Sequence, residues 1–152
     1  MSIHFPDWVS PALALARQTL ESCHAPDSFD FVGQIDKTLP REGYRMQLSP
    51  MESGKQTLRL SGGSDVGLMY GAMDFVNRII PAAEQAHKWM FPYYFVNPFE
   101  TGFAPMDETS SPSVARRGLW TWGHVIYDYR GYLTHMARLK LNELVIWNDF
   151  AP

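Results

Sequence analysis

The sequence predicts an α/β fold, and three observations carry it. Two neighbouring runs alternate apolar and polar residues in the manner of half-buried strands, GYRMQLSP and QTLRLSG. A helix-period apolar stripe follows them directly. Later a continuous apolar run, Leu144-Val145-Ile146-Trp147, comes one helix after the run GLWTWG, which reads as strand, helix, strand.

Taken in chain order, Ser10 and Pro11 supply an N-cap and a first-turn proline, and Leu13, Ala16, Leu20 and Cys23 recur at helical spacing. An amphipathic helix is predicted there, ending before His24. The stretch DSFDFVGQIDKTLPREG is mixed and predicts a short strand among loops. In the first alternating run Tyr44, Met46 and Leu48 share one side; in the second Leu58 and Leu60 point inward and Arg59 outward. With MESGK as a turn, the two form an antiparallel hairpin.

A helix is predicted next, capped by Ser64 or Asp65 and closed by Pro81. Leu68, Ala72, Phe75 and Ile79 make one stripe, and Met69, Met73, Val76 and Ile80 an adjacent one. So wide an apolar surface belongs to a helix buried against a sheet. Gly67 and Gly71 lie one turn apart, and glycine inside a helix costs up to ~1 kcal/mol; a close backbone approach would offset it. The glycine-rich GGSDVG follows a hairpin rather than a parallel strand, which argues against a phosphate loop.

The domain boundaries read from these patterns are a small α/β domain over 1–81, a connector rich in proline and aromatics over 82–112, and a βαβ unit over 113–152. So many rings in the connector predict that it lies on the protein. In the last block Arg117-Gly118 opens a strand, Asp128 caps a helix with apolar face Tyr132, Leu133, Met136 and Leu139, and Asn142 takes the left-handed cap position. Asn148 and Asp149 follow the second strand, at the carboxyl end where ligand chemistry collects in α/β folds. His124 follows the first. Trp120 and Trp122 share a strand face and read as packing.

Composition bounds the function. The net charge of −3 and pI near 5.9 offer no basic surplus for a nucleic-acid partner. No run reaches the ~18 apolar residues of a membrane span, and the first residues lack the charge pattern of a signal peptide, so a cytoplasmic protein is expected. The histidines show no metal-ligand spacing, and no nucleotide or nucleophile motif is present; neither metal nor cofactor is expected. The single cysteine, Cys23, reads as a small apolar residue on a helix.

The segment YRMQLSP…TLRLSGGSDVGLMYGAMDFVNRII resembles the α/β domain that precedes the barrel in β-N-acetylhexosaminidases and α-glucuronidases, on Gly62 or Gly63, Gly67, Leu68, Tyr70 and Gly71. The segment ARRGLWTWG…LKLNELVIWND looks like the first βαβ unit of the same enzymes' TIM-type barrel, on Arg117-Gly118 and on Lys140-Leu141-Asn142. The resemblance implies an α+β sandwich domain followed by the start of a barrel, and a carbohydrate substrate. It implies that Arg117 binds sugar hydroxyls; Asn148, Asp149 and His124, from their own place after the two strands, are further candidate substrate contacts. The catalytic carboxylates of such enzymes come from later barrel strands, so no catalytic residue is expected in this chain, and exposed barrel strands would favour a homo-oligomer. The alternative is a non-catalytic carbohydrate-binding or assembly domain.

Overall fold

The computed structural model describes residues 1–90, 97–122 and 126–147. The chain divides into two units, Met1–Ser111 and Pro112–Pro152.

The first unit holds β1 (Ser2–His4), α1 (Pro11–Glu21), β2 (Phe29–Ile35), β3 (Tyr44–Leu48), β4 (Gln56–Gly62), α2 (Asp65–Asp74), a π-helical turn (Phe75–Ile79), α3 (Ile80–Met90), α4 (Pro98–Thr101) and β5 (Met106–Ser110). Its five-stranded sheet runs β1-β2-β4-β3-β5. β1, β2 and β4 are parallel, and β3 is antiparallel to both β4 and β5.

The local reasons are direct. Ser10 Oγ accepts from Leu13 N at 3.1 Å and Pro11 starts α1, whose Leu13, Ala16 and Leu20 are buried. The β3–β4 hairpin closes through Glu52 and Lys55, which exchange backbone hydrogen bonds at 2.8 Å, while Ser53 and Gly54 both take positive φ. That is the mirror-image turn whose twist matches the strands. Tyr44, Met46, Leu48, Leu58 and Leu60 are buried, and Arg45 and Arg59 are exposed on the other face. α2 is buried from Gly67 through Met73, packed against α1 and the sheet as its wide apolar surface requires.

Two expectations are corrected. Pro81 does not close the helix. Ile80 N–H donates to Phe75 O, one residue further back than in an α-helix, and the helix continues to Met90. The widened turn before Pro81 accommodates a ring that would otherwise crowd an α-helical carbonyl. The mixed stretch after residue 27 holds a full seven-residue strand, β2, paired on both sides. Gly33 breaks its pattern because Phe5 packs there: a Cβ on Gly33 would lie 2.4 Å from Phe5 Cδ1. Within 82–112, the stretch expected to lie on the protein, residues up to Ser111 fall in the first unit. β5 is its edge strand, and Phe99 and Phe103 join Phe29, Phe31 and Phe75 in a buried cluster with ring centroids 5.0 to 6.5 Å apart.

On the sheet's polar face Arg45 Nε donates to Asp107 Oδ1 at 2.7 Å, Arg45 Nη2 to Oδ2 at 2.6 Å and Gln47 Nε2 to Oδ2 at 2.9 Å. The Arg45 hydrogen bonds, then that from Gln47, lower the Asp107 pKa from 3.8 to about 2. The depressed value fixes the sign: the stabilisation is present above the unfolded value of 3.8 and is lost as pH falls through about 2. We expect the Asp107 carboxyl to titrate near 2 by NMR, and Arg45→Ala to move the midpoint up toward 3.8. An unmoved midpoint would show that the pair is not formed in solution.

The second unit is β6 (Gly118–Trp122), α5 (Tyr129–Arg138) and β7 (Glu143–Trp147). β6 and β7 pair in parallel, Gly118 opposite Glu143 and Trp122 opposite Trp147, in a sheet of their own. Among the described residues no helix is long and apolar enough to cross a membrane.

Candidate functional site

The second unit is built around two ends of a parallel strand pair. At the amino end the two motifs noted in the sequence meet. Asn142 Oδ1 accepts from Arg117 N at 2.9 Å, Asn142 Nδ2 donates to Ala115 O at 2.8 Å, and Asn142 N donates to Arg117 O at 2.9 Å. Arg117 Nε donates to Lys140 O at 2.6 Å, and Nη1 donates to Val114 O. Arg-Gly and Lys-x-Asn are thus one constellation that fixes where both strands begin. Beside it Arg116 chelates Glu143, with Nε to Oε2 at 3.0 Å, and this pairing lowers the Glu143 pKa.

The left-handed cap of α5 falls on Lys140 and not on Asn142. Lys140 has φ 56°, Lys140 N donates to Ala137 O at 2.9 Å and Leu141 N to Met136 O at 2.8 Å. These are the paired bonds of a Schellman ending. Asn142 is left to bind Arg117 instead.

Toward the carboxyl end, a groove of about 550 Å³ lies between β6 and the start of α5. Trp120, Tyr127 and Tyr132 supply rings to its lining, and Thr121, Asp128 and His135 supply polar groups. Asp128 Oδ1 accepts from Gly131 N at 2.9 Å and caps α5. A Cβ on Gly131 would lie 2.3 Å from Asp128 Oδ2, so a larger residue there would make the Asp128 carboxylate turn. Side chains alternate along a strand, and Thr121 is buried while Trp120 on the opposite face is 61% exposed. Val145, paired with Trp120 across the sheet, is 43% exposed. Rings beside carboxylate and imidazole groups suit a hydroxylated ring that stacks on one face and hydrogen-bonds at its rim.

Of the residues expected to contact substrate, Arg117 is at the amino end of β6, five strand residues from the carboxyl end, which is ~16 Å along the strand. His124, Asn148 and Asp149 lie outside the described residues; in sequence they follow the carboxyl ends of β6 and β7. Tyr127, Tyr132 and His135 line the groove without having been singled out as contacts. Their signal was the aromatic density between Trp120 and Tyr132, read as strand packing and a helix face. Among the described residues of this unit the carboxylates are Asp128, which caps α5, and Glu143, paired at the opposite end. Among the described residues no group of three or more His, Cys, Asp or Glu is placed to hold a metal ion.

No family model matches the sequence, and a search of curated proteins finds no match. Among solved structures the chain is similar to a GH20 exo-β-N-acetylglucosaminidase from Vibrio harveyi, determined as an inactive mutant. The TM-score is 0.58 at 13% identity, covering 95% of this chain and 21% of that one. It is also similar to a GH138 enzyme targeting pectin rhamnogalacturonan II, with a TM-score of 0.56 at 18% identity, covering 97% of this chain and 18% of that one. The chain spans about a fifth of the length of each. At such identities the likeness is one of fold: the mixed α/β arrangement described above is one that these glycoside hydrolases share.

Proposed function

We propose that the chain belongs to a carbohydrate-active protein of glycoside-hydrolase type. In this reading Met1–Ser111 is a non-catalytic α/β domain, and Pro112–Pro152 is the opening βαβ unit of a TIM-type barrel. The supporting observation is the groove lined by Trp120, Tyr127, Tyr132, Asp128 and His135 at the carboxyl end of a parallel strand, the end that meets substrate in barrel enzymes. His124, Asn148 and Asp149 extend the same end in sequence. The hydrolytic carboxylate pair is supplied by other barrel strands. Two half-exposed strand faces support a barrel setting, since parallel strands are ordinarily covered on both sides.

Arg117 enters this proposal in two ways that a variant separates. The resemblance makes it a sugar contact; its bonds to Lys140 and Val114 make it a lock on the strand openings. We expect Arg117→Ala to cost ~2 kcal/mol of stability, as for a charged hydrogen-bond donor removed from its acceptors. The test of the function is hydrolysis of aryl β-N-acetylglucosaminides and pectin fragments by the natural gene product. Turnover that falls in Tyr132→Ala and His124→Ala while their melting temperatures hold supports the reading. Absence of turnover on every glycan offered, with the protein folded, favours the second reading, a carbohydrate-binding or assembly domain. For Arg117→Ala, a fall in kcat/KM beyond what the folded fraction explains would establish a direct sugar contact.

A further inference from the structure

The first unit carries a cleft that the reading above does not use. β1, β2 and β4 run parallel and end at His4, Ile35 and Gly62. The loops that follow them converge, and Trp8, Ile35, Lys37, Ser64 and Asp65 line a cleft of about 520 Å³. That volume lies within the ~300–1,000 Å³ of small-ligand sites. Carboxyl ends of parallel strands are where open α/β sheets receive ligands.

The chemistry of the lining selects the ligand. Trp8 is 52% exposed, and its flat face suits stacking against the C–H face of a pyranose. Among the described residues the Lys37 ammonium has no hydrogen bond or ion pair. The Asp65 carboxylate accepts one hydrogen bond, at Oδ1 from Val66 N at 3.0 Å. Ser64 Oγ donates to Arg41 O at 2.6 Å and keeps acceptor capacity. A donor, a hydroxyl and an acceptor beside a ring match the rim of a polyol. Asp65 also stands in the first turn of α2, where it offsets the positive helix end and disfavours an anion.

We propose that this cleft binds one uncharged pyranose ring of a glycan chain, with Trp8 as the stacking platform and Lys37, Ser64 and Asp65 as hydroxyl partners. The proposal rests on the carbohydrate reading of the protein and adds a second, non-catalytic contact, distinct from the groove at Trp120. Such an accessory site would hold a polymeric substrate near the catalytic unit and raise its effective concentration.

The test is a titration of the whole chain, followed by NMR at the Trp8 indole and the Lys37 and Asp65 amides. The probes are neutral trimers of glucose, N-acetylglucosamine, mannose, galactose and xylose, with a galacturonic acid trimer as the charged comparison. At least one neutral trimer is expected to give saturable shifts at these three residues below ~10 mM. Trp8→Ala and, separately, Lys37→Ala should weaken that binding by about tenfold with unchanged circular dichroism, while Trp120→Ala leaves it unchanged. No shift at Trp8 with any neutral trimer overturns the inference, as does stronger binding of the galacturonic acid trimer. Shifts confined to Trp120 and Tyr132 would also overturn it while leaving the proposed function standing. Hydrolysis by the natural gene product judges that function separately.

Discussion

Gly67→Ala is expected to destabilise the first unit by ~3 kcal/mol, although alanine is the better helix former by ~1 kcal/mol. The sign is set by the neighbour. A Cβ on Gly67 would lie 2.2 Å from Gly43 O, a backbone atom. That carbonyl cannot swing away without breaking its hydrogen bond from Gly63 N at 2.9 Å. The site is crowded from the other side too, because a Cβ on Gly62 would be 2.4 Å from Leu68 N and one on Gly63 would be 1.9 Å from Pro40 O. The glycines of GGSDVG therefore let the exit of β4, the entry of α2 and the entry of β3 cross at backbone contact. Gly71→Ala is the control: its Cβ would meet Leu60 Cδ2 and Tyr44 Cδ2 at 3.2 Å, which need move only a few tenths of an ångström, so with the gain in helix propensity its effect should stay within ~1 kcal/mol. Urea unfolding of the two variants decides. A more stable Gly67→Ala would mean that β3 and α2 do not touch at this point.

The elements that were legible in the sequence are those whose own residues carry the whole signal. α1 has a capping serine, a first-turn proline and a clean stripe; the hairpin has strict alternation and a Ser-Gly turn; α2 has two apolar stripes. What was not legible depends on partners distant in sequence. β1 is three residues long and exists because β2 lies beside it. β2 loses its period at Gly33 because Phe5 occupies the place of a side chain. β5 reads as a polar loop, Met-Asp-Glu-Thr-Ser, because it is an edge strand whose Asp107 and Glu108 find Arg45 and Arg78. At Pro81 the usual breaking rule gave way to a π-helical turn that ends two residues upstream.

The same division holds for the sites. Arg117 and Asn142 stood out in sequence as separate motif members, but only the fold shows Asn142 bonded to the strand opening that Arg117 occupies. The groove residues Tyr127, Tyr132 and His135 had no spacing that marked them, since a groove between a strand end and a helix follows no single period. Trp8 lies in a short loop and becomes notable only when the ends of β2 and β4 arrive beside it.

Gln56→Leu is expected to cost ~3 kcal/mol or more, the price of leaving buried polar groups without partners. Gln56 is 2% exposed. Its Oε1 accepts from Phe103 N at 3.0 Å, and its Nε2 donates to Phe103 O at 2.9 Å and to Ser49 O at 2.7 Å. One side-chain amide thus acts as a strand partner for Phe103 and seats the Phe99–Phe103 segment on the sheet. Leucine keeps the volume but strands one donor and two acceptors, so the segment should loosen and become open to proteolysis before the rest of the unit unfolds. Gln56→Glu gives a test with a pH sign. At neutral pH its carboxylate would face two carbonyl oxygens, which raises its folded-state pKa above the unfolded ~4.3. Its stability relative to wild type should therefore recover as pH falls through that raised value, where the protonated acid can donate again. This is opposite in direction to the effect of Asp107. Unfolding of wild type and both variants at neutral and mildly acidic pH would separate the cases. A Gln56→Leu chain as stable as wild type, with residues 98–110 still protected, would show that Phe103 is held by its ring in the aromatic cluster and owes nothing to the amide.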